Sequence, residues 1–134
     1  MRKTPLATLA AIAVLAGGCA GRGEPVREPP REQSRADVDV VNIAFAPTSL
    51  EVDRGTTVVW TNQDQGVRHT VTSGLPGDVG VPGVTEPEPP HPDGLFDGNL
   101  EDAEAEFRHT FTRAGAYEYF CRVHPAMTGE VIVR

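Results

Sequence analysis

The sequence predicts an all-β domain folded as a two-layer sandwich, and three observations lead there. Apolar residues fall in short runs rich in β-branched and aromatic side chains, separated by turn residues. The chain carries 14 Gly and 12 Pro against 39% apolar residues, which suits many turns better than long helices. No heptad pattern or internal repeat competes with that reading.

Taken in order, Val38 to Phe45 reads as the first strand, ended by Pro47. Ser49 to Asp53 is the second, and Arg54-Gly55 turns the chain. Thr56 to Thr61, with Trp60, is the third, followed by the polar loop Asn62 to Gly66. Arg68 to Ser73 is the fourth. Glu104 to Thr112 alternates, placing Phe107, His109 and Phe111 on one face. Ala116 to Phe120 leads into Cys121, and Gly129 to Val133 closes the domain. Seven short strands in roughly 98 residues make a sandwich. Residues 74–98, with six prolines, show no strand pattern and read as a long loop.

The N-terminal part reads as a targeting segment, residues 1–18. Arg2 and Lys3 precede a short apolar stretch from Pro5 to Leu15, then small residues up to Cys19. A membrane span needs about 20 apolar residues, so the stretch is a signal peptide rather than a span. Leu15-Ala16-Gly17-Gly18-Cys19 resembles a bacterial lipobox, although its Leu stands one place further upstream than usual. That predicts cleavage before Cys19 and lipidation of its thiol; the alternative is a conventional cut near Ala20. Residues 19–36, rich in Gly, Pro and charge, read as a flexible linker. The sandwich then occupies residues 37–134. The expected location is periplasmic or otherwise extracytoplasmic, with the membrane touched only through the lipid.

Charge separates these parts. Residues 1–36 carry net +3 and residues 37–134 net −10, together the −7 of the chain. An acidic domain argues against nucleic acid as a partner. Acidic residues 97, 101, 102, 104 and 106 offer an edge that would orient a cationic partner, or would simply be solvated.

The two cysteines carry the chemistry. With Cys19 lipidated or at the cleavage site, Cys121 has no disulfide partner in an oxidising compartment, and a metal would occupy its thiolate. Cys121 opens the spacing Cys121-x2-His124-x2-Met127: a thiolate, an imidazole and a thioether in one loop between two strands. His69, at the start of a strand, is the candidate for a second imidazole. Two His and one Cys with a weak Met is the donor set of a blue-copper centre. Held between the preferences of Cu(I) and Cu(II), such a site changes little on electron transfer and leaves no open position for a substrate. Structural zinc sites do not normally use Met.

At these residues the chain resembles the cupredoxins of the plastocyanin/azurin group, and its short ligand loop with Pro125 is most similar to that of the amicyanins. Supporting stretches are Val58 to Asn62, His69 to Thr72, Gly94 to Asp97 and Thr110 to Tyr119. The resemblance implies a Greek-key β-sandwich and one type 1 copper ion on His69, Cys121, His124 and Met127. It also implies single-electron shuttling rather than catalysis, by a monomer serving redox proteins such as a c-type cytochrome or a copper or haem oxidoreductase. Two positions depart from the pattern. Thr70 stands where many relatives have Asn, and its hydroxyl can still hydrogen-bond. Val123 stands where plastocyanin and amicyanin have Pro, which leaves an N–H able to donate to the thiolate. A copper delivery or storage protein is the competing expectation. It calls for an exchangeable site rich in Met or His, whereas Met127 is the one methionine besides Met1.

Overall fold

The computed structural model describes residues 34–78, 82–83 and 88–134. The signal peptide, Cys19 and most of the expected linker lie outside the described residues.

Nine strands follow one another: β1 (Arg35–Val41), β2 (Ala44–Ala46), β3 (Ser49–Val52), β4 (Thr56–Asn62), β5 (His69–Leu75), β6 (His91–Leu100), β7 (Glu106–Phe111), β8 (Gly115–Phe120) and β9 (Thr128–Val133). They form two sheets, in the orders β2-β1-β4-β7 and β3-β9-β8-β5-β6. The chain crosses between the layers in Greek-key fashion. Parallel pairing of β1 with β4 and of β3 with β9 results, while the other pairs are antiparallel.

The inner faces close on Trp60, which is fully buried. Its ring meets Phe96, Phe107, Phe111 and Tyr119 at centroid separations of 5.8, 5.7, 6.4 and 5.4 Å. Apolar burial and aromatic contacts of this kind are the main source of stability in a sandwich. Phe107 and Phe111 reach that core from β7 by strict alternation with exposed Glu106, Arg108 and Thr110, as the sequence pattern predicts.

Three expectations are corrected. Val38 to Phe45 is not one strand but the hairpin β1–β2, turned at Asn42 and Ile43, both with positive φ (54° and 58°). Positive φ at both central residues is the geometry of a type I′ turn, and Ile is a poor signal for it. The domain begins before residue 37: Arg35 and Ala36 already pair with Thr57 and Val58. Residues 74–98 are not one loop. β5 runs on to Leu75, and β6 pairs with it from His91↔Leu75 to Leu100↔His69. The register shifts between Thr72 and Gly74. There Gly74 takes φ 117° with the backbone of His91 and Pro92 pressed against it, a place with no room for a side chain. β6 is an edge strand, which tolerates Pro92.

Candidate metal centre

One end of the sandwich gathers His69, Cys121, His124 and Met127. His69 opens β5, and Cys121 follows β8 directly. The register of β5 with β8 pairs Thr72 with Phe120. Continued by one and two residues in the antiparallel sense, it sets Cys121 and Arg122 beside Val71 and Thr70. Two hydrogen bonds hold them there. Thr70 N–H donates to Cys121 Sγ at 3.3 Å, and Arg122 N–H donates to Thr70 Oγ1 at 2.8 Å. The backbone and hydroxyl of Thr70 thereby join the strand carrying His69 to the loop carrying Cys121. Val123 is 38% exposed on the rim, and the backbone N–H that meets Sγ belongs to Thr70.

The loop from Cys121 to Met127 closes on itself. Cys121 N–H donates to Met127 O at 3.0 Å, and Met127 N–H donates to His124 O at 2.8 Å. That fold turns His124 back, so that its Nδ1 lies 3.7 Å from Cys121 Sγ. Cys121 is fully buried and without a disulfide partner among the described residues, and Met127 is 3% exposed. One potential ligand atom from each of His69, Cys121 and His124 lies within 4.8 Å of the others. The two imidazole rings stand 4.9 Å apart.

His69 is buried, and its two ring nitrogens differ. Nε2 lies 3.0 Å from Asp64 Oδ2. Nδ1 is buried and has no hydrogen-bond partner among the described residues. A carboxylate at Nε2 favours the proton there, leaving the Nδ1 lone pair unused. A buried acceptor without a partner is costly unless something binds it. Together with a buried thiol and a buried thioether, that nitrogen fits a soft metal: thiolate and thioether select copper, and imidazole suits it.

Asp64, which no sequence pattern marks, and Asn62, at the end of one of the supporting stretches, hold the loop before His69. Asp64 Oδ1 accepts Asn42 N–H at 2.7 Å, and Oδ2 accepts Ile43 N–H at 3.0 Å. These backbone donors, Ile43 foremost, and His69 hold the Asp64 carboxyl below its ordinary range, although burial works against them. Asn62 is fully buried and anchors the polar loop. Its amide donates to Val67 O, Asp102 O and Leu100 O, and its Oδ1 accepts Asp64 N–H. The remaining histidines lie elsewhere. His91 starts β6 with Nε2 3.1 Å from Glu88 Oε1. His109 packs its ring against Phe96 and Phe111, and burial pushes its pKa down.

Residues 32–134 match the family model described as copper binding proteins, plastocyanin/azurin family. The chain is 28% identical to amicyanin-alpha of Methylorubrum extorquens over 130 residues, covering 95% of this chain and 93% of the relative. It is 30% identical to amicyanin of Paracoccus denitrificans over 98 residues, 72% of this chain and 63% of the relative. Among solved structures, a purple cupredoxin from Nitrosopumilus maritimus superposes with a TM-score of 0.56 at 30% identity, over 74% of this chain and 99% of the other. A reduced Cu(I) form of an amicyanin variant superposes with the same score and identity, over 75% and 82%.

Proposed function

We propose, from the premise that this chain belongs to the plastocyanin/azurin family of copper-binding proteins, that it carries single electrons between extracytoplasmic redox partners. The family consists of electron-transfer proteins rather than enzymes, and copper is the cofactor. The observation that carries the reading is the cluster of buried Cys121 and His69 with half-buried His124, and buried Met127 on the same loop as Cys121 and His124. In this reading His69 Nδ1, Cys121 Sγ and His124 Nδ1 hold the ion, and Met127 is the weak fourth donor. Copper supplies the one-electron Cu(II)/Cu(I) couple.

The protein's own residues do the rest. Burial of Cys121 excludes water and protects the thiol from oxidation. The hydrogen bond from Thr70 stabilises negative charge on sulfur. His124 is half-buried between exposed Val123, Pro125 and Ala126, so a partner approaches the centre over this small apolar rim. The acidic residues are less uniform than their sequence suggests. Asp97 pairs with Arg122, and Glu106 with Arg108, which leaves Glu101, Asp102 and Glu104 as the charges that would meet a cationic partner. Partners of the c-type cytochrome or copper or haem oxidoreductase kind fit this surface. The N-terminal sequence supports export, with Cys19 as a lipid anchor and residues 19–33 as the tether. A fully buried thiol argues against copper delivery, which needs an exchangeable ligand.

The test is the optical and EPR spectrum of the Cu(II)-loaded protein. An intense blue or purple thiolate band is expected, lost in Cys121→Ala and on reduction. A band that survives Cys121→Ala refutes the ligand assignment. For the anchor, labelled fatty acid is expected in the wild type and absent from Cys19→Ser; equal labelling of both refutes it.

A further inference from the structure

We infer that Asp64 is the positioning residue of the centre: its carboxylate fixes His69 in the Nε2–H tautomer and favours the oxidised metal. The inference rests on His69 being a ligand through Nδ1, as proposed above.

Asp64 is placed to do this from both sides. Its Oδ2 meets His69 Nε2 at 3.0 Å. The same carboxylate receives the N–H groups of Asn42 and Ile43 at 2.7 and 3.0 Å. Those two residues form the β1–β2 turn, which belongs to the opposite sheet from β5. Its own N–H is held by Asn62 Oδ1 at 3.0 Å. Asp64 is therefore fixed by three contacts independent of His69, two on its carboxylate and one on its backbone N–H. It clamps the imidazole rather than following it.

Two consequences follow from the chemistry. A carboxylate accepting Nε2–H makes the imidazole more basic at Nδ1, so it donates more strongly to a metal. Stronger nitrogen donation helps Cu(II) more than Cu(I), which prefers soft ligands. The same contact also joins His69 to the turn that carries Ile43, 50% exposed at the surface. The positive φ at Asn42 and Ile43 is held by the two N–H bonds to Asp64. One side chain thus serves the turn and the ligand together.

The substitution that tests the charge is Asp64→Asn, which keeps one acceptor oxygen, gives up one of the two turn N–H bonds and loses the charge, while Asp64→Glu keeps the charge. In the copper-free full chain, long-range nitrogen NMR reads the His69 tautomer. Nε2–H is expected in the wild type, and a Nδ1–H form overturns the inference even if no variant folds. In the copper-loaded protein, Cu(II) affinity is expected to fall about 10- to 100-fold in Asp64→Asn, with a smaller loss for Cu(I). Each tenfold difference between the two raises the one-electron potential by about 59 mV. Asp64→Glu, which restores a carboxylate, is expected to return part of that shift. An unchanged potential in folded Asp64→Asn overturns the inference. Failure of the ligand assignment looks different: the wild type then lacks the thiolate band before any question of Asp64 arises.

Discussion

Asn62→Ala tests whether the polar loop before His69 is held by one buried amide. Asn62 has no exposed surface. Its Nδ2 reaches Val67 O at 2.9 Å and Asp102 O at 3.1 Å, with Leu100 O at 3.4 Å sharing one of the two hydrogens. Its Oδ1 accepts Asp64 N–H at 3.0 Å. That makes three full hydrogen bonds, each worth about 1 kcal/mol net, and alanine leaves their partners without the amide. The expected loss is about 3 kcal/mol, read by urea unfolding of the copper-free protein. With a slope of about 1–3 kcal/mol/M, the midpoint falls by about 1–3 M. Neighbouring Gln63→Ala serves as a control. Gln63 is exposed and its contact to Asp39 is 3.4 Å, so its effect stays within about 0.5 kcal/mol. A loss below about 0.5 kcal/mol in Asn62→Ala would mean that water replaces the amide, and would refute this account of the loop.

Other perturbations probe the core, one of the two histidines outside the centre, and the metal. Phe107 occupies the space where a Cβ on Gly98 would stand, and its ring packs on Trp60. Gly98→Ala is therefore expected to cost about 1–3 kcal/mol in unfolding experiments. His109 has its pKa lowered by burial, so it takes up a proton more readily unfolded than folded. Its contribution is fully present above the unfolded value of about 6.5 and is lost as pH falls from there toward the folded value. Urea melts between about pH 7 and pH 5 are expected to show a weaker decline in His109→Phe than in the wild type. Copper that binds the folded state alone raises stability by about 4.1 kcal/mol at a free concentration 1,000 times Kd, seen as a higher Tm that a chelator reverses. Cys121→Ala is expected to abolish most of that rise without a comparable loss in the copper-free protein.

The parts of the fold legible in the sequence are those where one local rule decides. β7 alternates because one face of the strand meets Trp60 and the other meets water, so Phe107 and Phe111 betray it. β4 is readable from its β-branched run, because it is buried in the middle of its sheet. The β1–β2 turn is hidden because its geometry comes from outside. Ile43 takes a positive φ while its N–H is bound by Asp64, 21 positions away. β6 is hidden because Pro92, Asp93, Gly94 and Gly98 are weak strand formers. It exists through pairing with β5, and a chain segment read alone does not show what it will pair with.

The centre divides along the same line. Cys121, His124 and Met127 share one short loop, so their spacing alone places three donors together. His69 is 52 positions from Cys121, and only the Thr72–Phe120 register brings it alongside. The absence of Pro at Val123 shows that a backbone N–H exists there, and says nothing about where it points. The donor to sulfur comes instead from Thr70, which the register carries across the site. Asp64 is the extreme case: an ordinary acidic residue in a polar loop, with no periodicity to distinguish it from Asp39 or Asp53. Its role follows from the loop returning past the β1–β2 turn before β5 begins, which sets one carboxylate between two backbone N–H groups and His69. Chemistry that depends on spacing within a loop can be read from residue order, whereas the orientation of a ligand depends on how two sheets close around it.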